Sequence, residues 1–385
     1  MKIVIAPDSF KESLTAEQVC AAVERGFRAV LPDAEYCRVP MADGGEGTTE
    51  ALLSACGGER VCLSVADPLG RTVEAAYARL PDGTAVMEMA QAAGLHLLLP
   101  HERNPLHTST FGVGQMLRHA LENGARRIIL GIGGSATNDG GAGMAQALGF
   151  RLLDANGVEL PRGGAALRRL AAIDASSSLP ALRECRLSAA CDVDNPLCGE
   201  RGASAVFAPQ KGADAAMVAE LDAALAHFAD VAARQYGGDR RDEAGSGAAG
   251  GLGFGLRVLL GADLCAGVEL VMAANGLADK IAGADLVITG EGRMDGQTLF
   301  GKVPLGVLRA AQAHGVPVLG LAGSVGQGAE ALNEHGFAAV LPCIDRAADL
   351  PDLLARAAWN IERTARQAAG LWAAAQQSFS GSLKM

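Results

Sequence analysis

Short apolar runs, each followed by a polar loop and a helical pattern, constrain the fold of this chain most strongly. The first run, KIVIA at residues 2–6, leads through PDSFKESL into a helix whose start at Thr15 forms a predicted capping box with Gln18. The same order returns at residues 35–40, 284–290, 316–323 and 338–344. Parallel strands need such crossover connections, so the pattern predicts five strands of one parallel α/β sheet.

A long segment of different character separates the first two of these strands from the last three. Residues 60–90 form runs joined by DPLG and PDG turns, which predicts an antiparallel meander, and RRIILGIGG predicts a buried strand with AGMAQALGF as its helix. Further strands are predicted in LSAACDVDNPL and at residues 204–209. We therefore expect a discontinuous flavodoxin-like domain, residues 1–60 and 275–385, with an inserted α/β domain at 61–274.

Composition excludes several classes of protein. The net charge of −10 argues against nucleic acid or an anionic membrane as the main partner. No stretch reaches the ~20 apolar residues of a membrane span, and the first apolar run ends at Pro7, too early for a signal peptide. The nine cysteines are scattered without a Cys-x-x-Cys pair, which predicts reduced thiols and a cytoplasmic location.

The densest glycine cluster, GIGGSATNDGG at residues 131–141, joins a predicted strand to a predicted helix. Backbone N–H groups at such a junction can bind an anion with the helix dipole behind them, and phosphate is the natural ligand. The spacing matches neither the dinucleotide-binding nor the P-loop fingerprint. The alternative is a tight strand-to-helix turn.

A second segment, GQTLFGKV at residues 296–303, comes close to a P-loop but has Val303 where a hydroxyl is needed for magnesium. We also expect the preceding strand to end at Gly290, several residues too early for a P-loop turn. A P-loop is therefore rejected. Lys302 remains a plausible phosphate contact, because it stands at a predicted helix N-terminus.

Charged and polar residues follow the predicted strands, where open α/β sheets bind ligands. One sheet would bring together at its edge Asp8, Ser9, Lys11, Glu291, Arg293 and Asp295. Carboxylates can hold Mg²⁺ or take a proton, and cations bind carboxylates or phosphates. The alternative is that these residues form only ordinary salt bridges at the edge of the sheet.

Two further segments of the inserted domain contain candidate site residues. Asp192 and Asp194 follow an apolar run at a spacing that could place both near one cation, although a solvated turn is equally consistent. Lys211, in APQKGA, is unusual because the chain has six lysines against 27 arginines.

Six segments in order resemble the first type of bacterial glycerate kinase: APDSFKESLTA, PMADGGEGT, GIGGSATNDGG, CDVDNP, APQKGA and TGEGRMDGQTLFGKVP. The resemblance spans residues 3–345. It implies ATP and Mg²⁺ as cofactors, D-glycerate as the phosphoryl acceptor, and an active site in a cleft between a flavodoxin-like domain and a second α/β domain.

On this resemblance we assign hypothetical roles. Nucleotide contacts are expected from Gly133, Gly134, Ser135, Asn138, Asp139, Gly140 and Lys211. The glycerate carboxylate or the transferred phosphoryl group would be bound by Lys11, Arg293 and Lys302, with further substrate contacts from Asp8, Ser9, Asp43 and Glu291. Asp192 or Asp295 would be the base or a metal ligand, and Asp194 a second metal ligand.

Two other functions stay open from the sequence. A binding or regulatory protein could hold a phosphorylated small acid without turning it over. A nicotinamide-dependent dehydrogenase is a weaker alternative, because G-x-G-x-x-G and its ribose-binding acid are missing. For a kinase, the product could be 2- or 3-phosphoglycerate, and the oligomeric state is open.

Overall fold

The computed structural model describes residues 1–382, and side chains up to residue 376. Within these residues the chain forms thirteen strands: β1 (Lys2–Ile5), β2 (Glu35–Arg38), β3 (Glu59–Ala66), β4 (Thr72–Arg79), β5 (Ala85–Glu88), β6 (Arg127–Gly131), β7 (Arg151–Leu153), β8 (Ala172–Asp174), β9 (Arg186–Ala190), β10 (Asp263–Cys265), β11 (Leu286–Met294), β12 (Val318–Val325) and β13 (Phe337–Pro342).

The α-helices in the same part of the chain are α1 (Ala16–Arg28), α2 (Thr48–Cys56), α3 (Ala90–Ala93), α4 (Phe111–Glu122), α5 (Ala142–Ala147), α6 (Ala203–Phe207), α7 (Ala215–Tyr236), α8 (Ala248–Leu260), α9 (Gly267–Asn275), α10 (Leu277–Ile281), α11 (Val303–Gln312), α12 (Glu330–Glu334), α13 (Leu350–Ala355) and α14 (Ala357–Ser382). Short 3₁₀ helices lie at Leu95–Leu97, Pro100–Glu102, Gly164–Arg169, Pro180–Glu184, Pro209–Lys211 and Gly296–Leu299. No helix from residue 1 to 382 is both long and apolar enough to cross a bilayer.

The chain divides into two compact units. The first contains residues 1–43, 50–56 and the chain from Val271 onward, and the second contains residues 44–49 and 57–270. We refer to them as the first unit and the second unit.

The first unit is built on a five-stranded parallel sheet in the order β2-β1-β11-β12-β13. Numbered within the unit, this is the 2-1-3-4-5 order of flavodoxin-like folds, so the predicted fold class is confirmed. The order reverses between β1 and β11. The crevice beyond the carboxyl ends of these two strands is therefore where such a fold binds ligands.

Local sequence explains the first βα element. Ile3, Val4 and Ile5 are fully buried, as expected for a parallel strand covered on both faces. The predicted capping box at the start of α1 is present, with the Thr15 side chain accepting from Gln18 N–H and the Gln18 side chain accepting from Thr15 N–H. Apolar residues of α1 and α14 share one core cluster with the central strands.

The second unit has a six-stranded mixed sheet in the order β3-β4-β5-β6-β9-β10. Strands β3, β4 and β5 form the predicted antiparallel meander, and β5, β6, β9 and β10 are parallel. A separate antiparallel pair joins β7 and β8.

The strand predicted at residues 204–209 is wrong, because this segment lies largely in helix α6. Its burial has helical spacing: Ala203, Ser204 and Ala208 are buried, whereas Val206 between them is 45% exposed. A short apolar run does not distinguish a strand from a buried helix by itself.

The end predicted for β11 at Gly290 is also wrong. The strand continues to Met294, because β12 beside it extends to Val325 and pairs with it along this length. The early strand end is therefore no argument against a P-loop. Two others stand: residues 296–299 form a 3₁₀ helix, and Val303 still lacks the hydroxyl.

Candidate functional site

Asp8 lies just beyond β1, at the point where the strand order of the first unit reverses. Its backbone N–H donates to the Gly290 carbonyl in β11 at 2.9 Å, which fixes it against the neighbouring strand. The carboxylate is buried, and its Oδ1 accepts from Ser9 N–H at 2.6 Å. Burial, with the like charges of Asp43 and Glu291, raises the pKa of Asp8 to about 7, while Ser9 N–H and Lys11 act in the opposite direction.

Glu291, in β11, is buried at the same edge and is fully engaged. Its carboxylate accepts from the Thr298 hydroxyl at 2.7 Å and from Lys302 Nζ at 3.3 Å. Burial raises the pKa of Glu291, and these two donors oppose the rise. Lys302 precedes α11, as predicted, and its side chain is 44% exposed. The ion pair therefore holds a partly exposed cation at a helix N-terminus.

Arg293 and Asp295 form an ion pair of 2.9 Å between Nε and Oδ2. The other Asp295 oxygen accepts from Gln297 N–H at 2.8 Å and caps the 3₁₀ helix that follows. Both oxygens of Asp295 are thus occupied. The guanidinium of Arg293, by contrast, is largely exposed and can contact an anionic ligand.

The glycine cluster of the second unit packs against a second glycine-rich segment, residues 245–255, which the sequence analysis did not single out. Gly140 N–H donates to the Gly250 carbonyl at 3.0 Å. A Cβ at Gly250 would lie 2.0 Å from the Thr137 carbonyl oxygen, and its φ is +68°. Much of the glycine density is therefore explained by two backbones in contact. The glycine-rich sequence SGAAGGLGFG was itself a usable signal of this contact.

Asp139 takes the place in which a phosphate was expected. Its fully buried carboxylate accepts from the backbone N–H groups of Thr110, Gly141 and Gly143 at 2.9, 3.2 and 3.1 Å. The Thr110 hydroxyl donates to it as well. Burial raises the pKa of Asp139, and these donors oppose the rise. The Asp139 carboxylate thus already accepts from backbone N–H groups at the starts of α4 and α5.

Lys211 and Asn138 are equally internal. Lys211 is 2% exposed and donates from Nζ to the Thr137 carbonyl at 2.7 Å. Burial lowers the pKa of Lys211 to about 7, and the charge of Asp139 opposes that change. Asn138 donates to the Ser204 hydroxyl at 3.0 Å. The Ser135 hydroxyl, also buried, accepts from Thr137 N–H.

Only the front of the cluster is open to solvent, at Gly133 and Gly134. A Cβ at Gly133 would lie 3.6 Å from the Cα of Gly45, so a second glycine loop runs beside it. Glu88 holds that loop, because its carboxylate accepts from Gly47 N–H at 3.4 Å and from Thr49 N–H at 2.9 Å. The sequence analysis missed Glu88, although a lone acid in the apolar run TAVMEMA was a usable signal.

Asp192 and Asp194 are exposed after β9, but each already has a partner. Asp192 accepts from Gly267 N–H at 3.0 Å, and Asp194 is paired with Arg201 at 3.0 Å. Within residues 1–382, no three acid, histidine or cysteine side chains are grouped as a metal site. The two-carboxylate magnesium site expected at Asp192 and Asp194 therefore stays a prediction.

Comparison with known proteins agrees with the resemblance found in the sequence. A model of the glycerate kinase family matches residues 3–373. A glycerate kinase of Halalkalibacterium halodurans is 53% identical over 95% of this chain and 97% of its own, and a glycerate 2-kinase of Escherichia coli is 49% identical over 96% and 97%. The crystal structure of a putative glycerate kinase 2 from Salmonella typhimurium LT2 has a TM-score of 0.91 and 50% identity, covering 98% of this chain and 99% of that one. The chain belongs to the glycerate kinase family.

Proposed function

We propose that this protein transfers the γ-phosphoryl group of ATP to D-glycerate. The observation that carries the proposal is 49–53% identity to glycerate kinases over 95–96% of the chain. The flavodoxin-like unit supports it, because acids and cations meet at the edge where its strand order reverses. The reaction suits such a set of groups, since phosphoryl transfer depends on positioning and charge neutralisation.

We assign the ATP phosphates to the exposed backbone of Gly133 and Gly134, at the front of the glycine cluster. Their N–H groups can approach an anion without intervening side chains. The buried residues Asn138, Asp139, Gly140 and Lys211 support this loop from behind, and we give them no direct nucleotide contact. Ser135 belongs with this support, since its hydroxyl serves the loop itself.

We assign the substrate carboxylate and the transferred phosphoryl group to cations of the first unit. Lys302 and Arg293 keep exposed charge while their carboxylate partners hold them in position. Lys11 is exposed beside Asp8 and Ser9.

Mg²⁺ belongs, in this proposal, to the MgATP substrate. Mg²⁺ usually keeps several water ligands and is bound through substrate phosphates and one or two carboxylates, so no resident protein cage is needed. The cation neutralises charge on the transferring group when it is bound.

We further propose that the 2-hydroxyl is the acceptor, because the Escherichia coli relative, 49% identical, is named a glycerate 2-kinase. A cytoplasmic location fits the nine cysteines, all of which are free thiols within the described residues.

A coupled assay of ADP release tests the proposal. Purified protein with MgATP should release ADP only when D-glycerate is added, and excess EDTA should abolish the release until Mg²⁺ is restored. Binding of phosphoglycerate without turnover would instead support the alternative of a binding protein. Full activity in excess EDTA would contradict the role given to MgATP.

A further inference from the structure

We propose that Asp8 is the general base that takes the hydroxyl proton of glycerate, an inference that rests on the proposed function. In this step the acceptor oxygen of glycerate forms a bond to the γ-phosphorus, and the bond between that phosphorus and the bridging oxygen of ADP breaks. The hydroxyl proton passes to the Asp8 carboxylate and leaves to solvent after the product. Atoms and charge balance without a further reactant.

The first support is position. Asp8 follows β1 and is tied by its backbone to Gly290 of β11, so its carboxylate stands at the reversal of strand order. Ligands of open α/β sheets bind at this crevice. Of the phosphate-binding candidates, Arg293 lies in β11 itself and Lys302 follows that strand at the start of α11.

The second support is the free capacity of this carboxylate. The bond from Ser9 N–H to Oδ1 is the one hydrogen bond that the Asp8 side chain makes with the described residues, which leaves Oδ2 able to accept. The other acids of this edge differ. Glu291 accepts from Thr298 and Lys302, and both Asp295 oxygens are occupied, so we prefer Asp8 to Asp295 as the base.

The third support is proton affinity. A general base works best when its pKa lies near the working pH, and the pKa of Asp8 is raised to about 7. The cause is burial, with the charges of Asp43 and Glu291 adding to it, and Lys11 and Ser9 N–H subtracting from it. Asp192, the other base expected from the sequence, is exposed and accepts from Gly267 N–H.

The test is the pH dependence of kcat/KM for D-glycerate with wild type, Asp8→Asn and Asp43→Asn. Wild-type kcat/KM should fall tenfold per pH unit below about pH 7, because protonated Asp8 cannot accept the hydroxyl proton of glycerate. Asp8→Asn should lower kcat about 10²- to 10⁴-fold and remove this acid limb, with ATP affinity by calorimetry preserved. Asp43→Asn should move the limb to lower pH, since it removes a like charge.

The outcomes separate the two proposals. Wild type that releases no ADP with glycerate would refute the proposed function. Active wild type with a folded Asp8→Asn variant that keeps its kcat, or keeps the acid limb at the same pH, would refute the role of Asp8 alone. If Asp8→Asn does not fold, an unmoved limb in Asp43→Asn still contradicts the inference.

Discussion

Replacing Gly250 with alanine should strongly destabilise the protein, whereas Gly133→Ala should leave its stability unchanged. The added Cβ at Gly250 would lie 2.0 Å from the Thr137 carbonyl oxygen and 2.7 Å from the Cα of Asn138, at a φ of +68°. The left-handed conformation costs alanine about 1–2 kcal/mol, and displacing packed backbone costs about 1–3 kcal/mol more. The sum, about 2–5 kcal/mol, is a large share of the about 5–15 kcal/mol that stabilises a typical protein.

Gly133 provides the matched control in the same loop. Its φ lies outside the left-handed region, and its Cβ would meet the Cα of Gly45 at 3.6 Å, an ordinary contact. We expect a stability change within about 0.5 kcal/mol. The methyl group would instead project where ATP phosphate is proposed to bind, so the ATP Kd should rise at least tenfold. Gly134 is a poorer probe, because its φ of +74° would strain any side chain.

Urea denaturation followed by circular dichroism, with ATP binding by calorimetry, measures both effects. Gly250→Ala should have a clearly lower urea midpoint than wild type. Gly133→Ala should have the wild-type midpoint but bind ATP more weakly. An unchanged midpoint for Gly250→Ala would refute the explanation of the glycine cluster by backbone packing. Normal ATP binding by folded Gly133→Ala would contradict the assignment of the ATP phosphates to this loop.

Two more predictions concern lysines. Lys302→Ala should lower kcat/KM about 10- to 1,000-fold without changing the circular dichroism spectrum, because the cation stabilises the charge on the phosphoryl group during transfer. Unchanged kinetics would show that Lys302 forms only a surface salt bridge. Burial lowers the pKa of Lys211 from 10.5 to about 7, so the unfolded chain binds the extra proton between these values and stability should rise with pH across that window. The rise in the free energy of unfolding is at most about 1.4 kcal/mol per pH unit, and the Lys211→Met variant should lose it. Urea midpoints of both proteins near neutral pH and at alkaline pH measure the rise. An equal dependence of stability on pH in both proteins would contradict the burial of a titrating amine.

Features set by neighbouring residues were readable from the sequence. The capping box of Thr15 and Gln18 and the buried strand at Ile3–Ile5 depend on local spacing, and their repetition predicted the parallel sheet. The ligand-binding edge followed from strand ends. Asp8, Glu291 and Arg293 were therefore predicted to lie at one edge of the sheet.

Features set by distant parts of the chain were not readable. The extension of β11 to Met294 depends on pairing with β12, and the packing of Gly140 on Gly250 joins segments far apart in sequence. Asp139 was expected to contact the nucleotide, but its carboxylate is buried and accepts from Thr110 N–H instead. A glycine-rich loop shows that something approaches the backbone closely, and only the fold shows what.

The most direct test of the account is ³¹P NMR of the reaction of the protein with MgATP and D-glycerate. We expect loss of the γ-phosphate resonance, formation of ADP and an equal amount of a new phosphomonoester. Its resonance should be a doublet, because phosphorus at the 2-position couples to a single C–H proton. A triplet would show transfer to the 3-hydroxyl and contradict the proposed acceptor. Inorganic phosphate as the sole product, or no change in ATP, would contradict phosphoryl transfer to glycerate itself.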